Sequence, residues 1–378
     1  MNRPTSRYHR LNLISKICCF LLLAMTILTG ALNRPARAQV ALSQPLVIRW
    51  RYESDRTSNF TPATDGRTVY LPLGDGVLVA LNAADGKLIW KAEAGGEFSA
   101  APEADDRAVY VATRYTASEP GHVPGTLRAI SKITGVTLWM RTLPAPLAGS
   151  LDAASNALFA GSVDGRVYAF DKRTGLTLWI NQYEEGFSSQ PTLAGNLVYL
   201  GSDGGTLLAL NQATGVLAWR YRARARIQGP IAVANGTVYF GSGDGYVYAF
   251  SESRAKLLWR RRTGAAVQAV AVVDNGLLAA SLDNFAYLLS MNKGSLIWRR
   301  LLPGRIAARP VTAADGALFT PLSTDNAIVL GLRDGKPVNA LALGEENSSS
   351  AAPITADGLV MITTPRGLLA FAAPQQKP

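Results

Sequence analysis

Short runs of alternating apolar and polar residues recur along the whole chain, each broken by a glycine-containing turn. The copy around Trp219 shows the unit well. Val198-Tyr199-Leu200-Gly201 leads through Ser202-Asp203-Gly204-Gly205 into Thr206-Leu207-Leu208-Ala209-Leu210-Asn211. A period of two with β-branched and aromatic residues marks strands, and Asp-Gly between them marks a tight hairpin, read here as type I′. Thr214-Gly215 turns the chain again into a strand that carries Trp219. A further strand, from about Gln190 to Ala194, precedes the unit with Gly195-Asn196 as its turn. Four short antiparallel strands in about 40 residues is the size of one propeller blade.

The hairpin run recurs at Val69-Tyr70, Val109-Tyr110, Leu158-Phe159, Val198-Tyr199, Val238-Tyr239, Leu277-Leu278, Leu318-Phe319 and Leu359-Val360. Trp90, Trp139, Trp179, Trp219, Trp259 and Trp298 each follow a hairpin, and the spacing between neighbours is 39 or 40 except for one of 49. In the seventh copy Gly335 leads to Asn339, and the eighth position would fall past the last residue. Trp50 stands 40 residues before Trp90 with no hairpin in front of it. The segment Leu46 to Tyr52 is therefore expected to supply the outer strand of the last blade, closing the ring and leaving only short edges. The fold class expected is all-β: an eight-bladed propeller of four-stranded antiparallel blades closed by an N-terminal strand. One large ring at a fixed site per blade is expected to fill the wedge between neighbouring sheets, a structural role.

The N-terminus reads as a secretory signal. Arg3, Arg7, Arg10 and Lys16 precede an uncharged, largely apolar stretch from Ile17 to Leu32, and Ala36-Arg37-Ala38 offers a small-x-small cleavage site. Residues 1–38 are thus expected to be removed, and 39–378 to form one propeller that is periplasmic or secreted; retention of the stretch as an anchor is the minor reading. Both cysteines, Cys18 and Cys19, fall inside the signal. The mature chain would hold no disulfide, thiolate nucleophile or cysteine-ligated metal. Six of the 38 Lys/Arg also lie before residue 39, so the formal +11 becomes 32 against 27, or +5. An exported chain of this balance points away from nucleic acid and toward an acidic protein face or an anionic membrane surface.

Candidate chemistry is sparse. The mature chain has one histidine, His122, within the nine-residue insertion of the second copy, where Arg114 and Tyr115 also lie. A Ser/His/Asp triad or a histidine-rich metal cage cannot be drawn from that supply unless His122 is the base. The repeated Asp-Gly pairs (Asp75-Gly76, Asp164-Gly165, Asp203-Gly204, Asp244-Gly245) are turn signals rather than a calcium loop, which wants several carboxylates in one short segment. Arginine is in excess after the tryptophans of the fourth to sixth copies. Arg220, Arg222, Arg224 and Arg226 alternate, Arg260, Arg261 and Arg262 follow Trp259, and Arg299 and Arg300 precede Arg305 and Arg309. Charge on outermost strands guards against edge-to-edge pairing. The surplus, against Glu184-Glu185 and Glu345-Glu346 elsewhere, predicts a one-sided basic sector on the face of the Asp-Gly turns. Its partner-binding candidates are Arg222, Arg224, Arg226, Arg261, Arg262, Arg305 and Arg309.

Val238-Tyr239-Phe240-Gly241-Ser242-Gly243-Asp244-Gly245-Tyr246-Val247-Tyr248-Ala249-Phe250 resembles the pyrroloquinoline-quinone (PQQ) type repeat, a likeness that spans nearly all of residues 39–378. Two branches of that family are in question. Resemblance to the quinoprotein dehydrogenases would imply a quinone with calcium in the central funnel, but their long insertions and vicinal disulfide have no counterpart here. Resemblance to the compact BamB-type propellers implies a non-enzymatic, monomeric scaffold that docks on outer-membrane assembly machinery through loops on one face, with no cofactor. The lipobox cysteine of that branch is replaced by Ala38-Gln39.

Overall fold

The computed structural model describes residues 40–56, 59–115, 125–154, 156–345 and 349–374. The predicted signal and most of the insertion loop, His122 included, lie outside the described residues. Each hairpin run folds as the second and third strands of a four-stranded antiparallel sheet, because only Gly- and Asp-containing turns interrupt the alternation. Blade 4 is representative: Thr192–Ala194, Leu197–Gly201, Thr206–Asn211 and Leu217–Arg222 pair in that order from the axis outward. Eight such sheets form an eight-bladed β-propeller. The hairpin turns differ from the type I′ expectation. Asp75 and Gly76 both have positive φ, as that type requires. At Gly165, Gly205 and Gly245 only the glycine does, and its N–H donates to the carbonyl three residues earlier, of Ser162, Ser202 and Ser242 respectively. These are type I turns closed by a left-handed glycine.

Blade 8 is assembled from both ends of the chain. Ile354–Ala356, Leu359–Thr364 and Gly367–Ala372 are completed by Val47–Glu53, with Trp50 opposite Ala370. Blades 2 and 3 share an extra tie, since Ala100–Ala101 leaves blade 2 to pair in parallel with Leu147–Ala153. Among the described residues no helix is long and apolar enough to cross a membrane.

The apolar core lies between blades. Eight buried clusters each join two neighbouring sheets, one per interface around the ring. The tryptophans fasten these interfaces. Indole Nε1 of Trp50, Trp90, Trp139, Trp179, Trp259 and Trp298 donates at 2.8–3.0 Å to a carbonyl in the outer turn of the next blade. The ring lies over the glycine of that turn; a Cβ on Gly135 would stand 2.8 Å from Trp90.

Trp219 is the exception. The position beneath it is Ala255, held at φ +47, and the Trp219 indole N–H is buried without an acceptor. A Cβ in left-handed backbone costs about 1 kcal/mol, and a recovered hydrogen bond adds about 1 kcal/mol. Ala255→Gly is therefore expected to raise the melting temperature by about 2 °C or more, read by calorimetry; a fall would refute the account.

Where the seventh blade lacks its tryptophan, the chain's own start fills the place. Asn339 Nδ2 donates to the carbonyls of Leu42 (3.0 Å) and Gln44, while Asp315 accepts the N–H groups of Leu42 (3.1 Å) and Ser43 (2.7 Å). Leu42 is fully buried among Val329, Leu341 and Leu343.

Candidate docking face and central channel

The segment after each outermost strand crosses to the next blade and packs on its Asp-Gly hairpin. Gly243 N–H donates to the Arg226 carbonyl at 2.8 Å, Ser242 Oγ to the Ala225 carbonyl at 2.9 Å, and Arg224 N–H to Asp244 at 3.3 Å. Leu322 N–H likewise meets the Arg305 carbonyl at 2.9 Å. These crossings put Arg222, Arg224, Arg226 and Arg305 on the face of the hairpin turns. The alternation of Arg220 to Arg226 is strand only as far as Arg222; Arg224 and Arg226 belong to the crossing.

The basic sector is less uniform than its sequence. Arg222 forms an ion pair with Glu185 of the preceding crossing and also donates to Thr206 Oγ1 at 3.0 Å. Burial works to raise the Glu185 carboxyl, but bonds from Ser202, Arg222 and Thr206 outweigh it and hold the group below its ordinary value. Arg222 is thus neutralised in place. Arg260 lies over the Tyr246 ring at 4.9 Å and Arg299 over Phe285 at 5.2 Å, cation–π contacts that fix both side chains. Arg300 reaches across to the Gly335 carbonyl, in the outer turn of blade 7, at 2.8 Å. Arg224, Arg226, Arg262 and Arg305 are exposed and Arg261 half-buried, and none of the five makes an ion pair within the described residues. At the insertion, Arg114 pairs with Glu97 at 3.1 Å, and Arg128 donates to the Tyr115 hydroxyl at 3.3 Å.

Arg309 is not on that face. It precedes Pro310 at the start of blade 7's innermost strand and lines a central channel of about 650 Å³, to which all eight blades contribute. Arg309 is exposed to the bore, and the surrounding wall, by displacing part of its water, pushes the guanidinium below the usual value. Gln190, Gln228 and Gln268 line the same bore. So does Glu103, which the sequence reading missed. Its signal was available, for Glu103 follows Pro102 at the place where Pro191 is followed by Thr192 and Pro310 by Val311. Asp152 holds the matching position on blade 3.

Burial first, then repulsion from Asp152 and Asp105, raises Glu103 to about 8. Asp152 is raised by burial to about 6. An acid whose folded pKa exceeds its unfolded one adds stability below the unfolded value and loses it as pH rises toward the folded value. Glu103→Gln, which cannot ionise, is expected to match wild type near pH 4 and to exceed it by about 4 kcal/mol at pH 8. Urea titrations at the two pH values check this, and an unchanged difference between them would contradict it.

Calcium takes roughly six to eight oxygens, several of them carboxylate. Glu103 and Asp152 supply two carboxylates on separate blades, and among the described residues no group of three or more His, Cys, Asp or Glu is placed to hold a metal ion.

A family model described as outer membrane protein assembly factor BamB matches residues 40–163, 123–233 and 163–290, which together exceed half of the chain. The chain belongs to the BamB family of PQQ-type repeat propellers. No curated protein matches it significantly in sequence. BamB from Moraxella catarrhalis superposes with a TM-score of 0.74 at 15% identity, covering 88% of this chain and 99% of that one. The computationally designed Ika8 protein gives 0.74 at 16% identity, with 88% and 100% covered. The quinohemoprotein alcohol dehydrogenase ADHIIG from Pseudomonas putida HK5 gives 0.71 at 14%, with 91% and 79% covered. At such identities these likenesses speak for the fold alone. In this BamB-family ring, then, the free arginines sit on one face and Glu103 lines the bore, with Asp152 at the matching position of the next blade.

Proposed function

We propose that the protein is an exported, non-enzymatic scaffold of the cell envelope, periplasmic after signal cleavage, that docks a partner protein of outer-membrane assembly as a monomer and holds no quinone. Family membership supports this, and one observation carries it: among the described residues the guanidinium groups of Arg224, Arg226 and Arg305 share the hairpin face without a carboxylate partner, on crossings whose backbones are pinned to the next blade. Rigid loops presenting uncompensated cations suit an acidic partner surface. The test is affinity capture from envelope extracts with wild type and with Arg224→Glu/Arg305→Glu. Recovery of an outer-membrane assembly component that falls at least about tenfold in the variant supports the reading; unchanged recovery overturns it.

The second reading, a PQQ-dependent dehydrogenase-like or sugar-acting enzyme using the channel, draws on Glu103, since strongly raised carboxyls in a cavity are candidates for acid–base work. Quinone absorbance regained on reconstitution with calcium would favour it over the scaffold.

A further inference from the structure

The eighth-turn repetition of this ring gives eight outermost strands, each with one edge unpaired by its own sheet. An edge strand offers free N–H and C=O groups to any extended chain, and proteins commonly block it with charge or proline. Six of the eight do so with charge: Arg49 and Arg51, Lys91, Arg141, Arg220 and Arg222, Arg260 to Arg262, and Arg299 with Arg300. Pro337–Ala342 of blade 7 has no charge, but it begins with proline and its Asn339 is bonded to Leu42 and Gln44. Thr177–Gln182 of blade 3, with the sequence Thr-Leu-Trp-Ile-Asn-Gln, has none of these protections.

Its outward face is also apolar. Leu178 and Ile180, each 49% exposed, stand opposite Trp179 and Asn181, where blades 4 to 6 place arginine two residues further on from their leucine, alanine or isoleucine. The backbone direction follows from one bond. Tyr183 N–H donates inward to the Gly165 carbonyl, so by the two-residue alternation Asn181 also faces the third strand, and Ile180 and Gln182 turn their backbone groups outward. The bulge at Ala169/Phe170 bends only the start of the strand, and the equivalent strands of other blades share it, so it does not distinguish this edge. Charge marks the two ends, with exposed Arg173 before the strand and exposed Glu184 after it.

We infer that the outer edge of blade 3 accepts an extended segment of a partner polypeptide as a fifth, antiparallel strand. Antiparallel addition sets the segment's N-terminal end beside Glu184 and its C-terminal end beside Arg173. The segment is therefore basic at its start, acidic at its end and apolar at alternate positions, so that its side chains lie next to Leu178 and Ile180. This edge is separate from the arginine face and does not depend on the scaffold reading.

The probe is a short peptide with lysine first, aspartate last and valines alternating with threonines between, added to the folded protein. Protection of the Ile180 and Gln182 amides from hydrogen exchange is expected, with affinity at least about tenfold weaker for Ile180→Lys and weaker for the peptide with its end charges exchanged. Circular dichroism confirms that Ile180→Lys is folded, and a proline-interrupted peptide is expected not to bind. Absence of protection at these two amides, equal protection at the arginine-bearing edges, or undiminished binding to folded Ile180→Lys would each overturn the inference.

Discussion

Trp90→Ala is expected to lower stability by about 4 kcal/mol, in the range for deleting a large buried ring. Trp90 is buried between blades 1 and 2, packs 5.8 Å from the Tyr70 ring and covers Gly135. Its indole also satisfies the Lys132 carbonyl at 2.9 Å. The apolar and polar parts separate by substitution with phenylalanine. Trp90→Phe leaves the Lys132 carbonyl without that donor and is expected to cost about 1–2 kcal/mol more than Trp219→Phe, whose indole makes no such bond. Denaturant unfolding of the three variants decides it. Equal losses for the two phenylalanine variants would mean that the hydrogen bond contributes nothing.

Leu42→Ala is expected to cost about 3 kcal/mol. Unlike the tryptophans, Leu42 belongs to no repeat. It is fully buried in the interface between blades 7 and 8, a place that a tryptophan fills elsewhere and that Asn339 leaves open. The loss should appear together with faster proteolysis near residues 40–53, because Val47–Glu53 is reached through this anchor. Asp315→Ala removes the acceptor of two backbone N–H groups and should act in the same direction. Hydrogen bonds from Ser43 and Leu42 outweigh burial and hold the Asp315 carboxyl below its ordinary value, so this part of the anchor weakens as acid protonates it. Wild-type proteolysis in Leu42→Ala would show that blade 8 closes without the segment.

The ring was legible in the sequence because its code is periodic. Eight hairpins and a tryptophan displaced to position 50 fix both the blade number and the closure, and Trp50 opposite Ala370 shows the predicted strand in place. The gap at Asn339 was legible too, but not what fills it, since Leu42 contacts residues nearly three hundred positions away. The site was read less well, for two physical reasons. A linear count does not show where a crossing ends and an innermost strand begins, so Arg309 was grouped with Arg305 although Pro310 already starts the channel wall. Opposite charges in successive crossings look like separate sectors in sequence. Folding brings Glu185 beside the third strand of the next blade, where it pairs with Arg222. Glu103 lies on a strand of only two residues, too short for periodicity, and Asp152 follows a register shift that breaks the alternation of its strand, and so both passed unnoticed.

The two-ended blade also sets an order of assembly as the chain emerges. Val47–Glu53 is among the first segments of the propeller to be made, and its partner Gly367–Ala372 among the last. Every other sheet can hydrogen-bond within about 40 residues of synthesis, whereas this strand must wait through all of them with both edges bare. Contacts so distant along the chain form slowly, and unpaired strands are exposed to misassociation while they wait. A chain halted before the last hairpin would therefore hold nearly complete blades and still be an open arc, so arrival of that hairpin is the step that makes the molecule a ring.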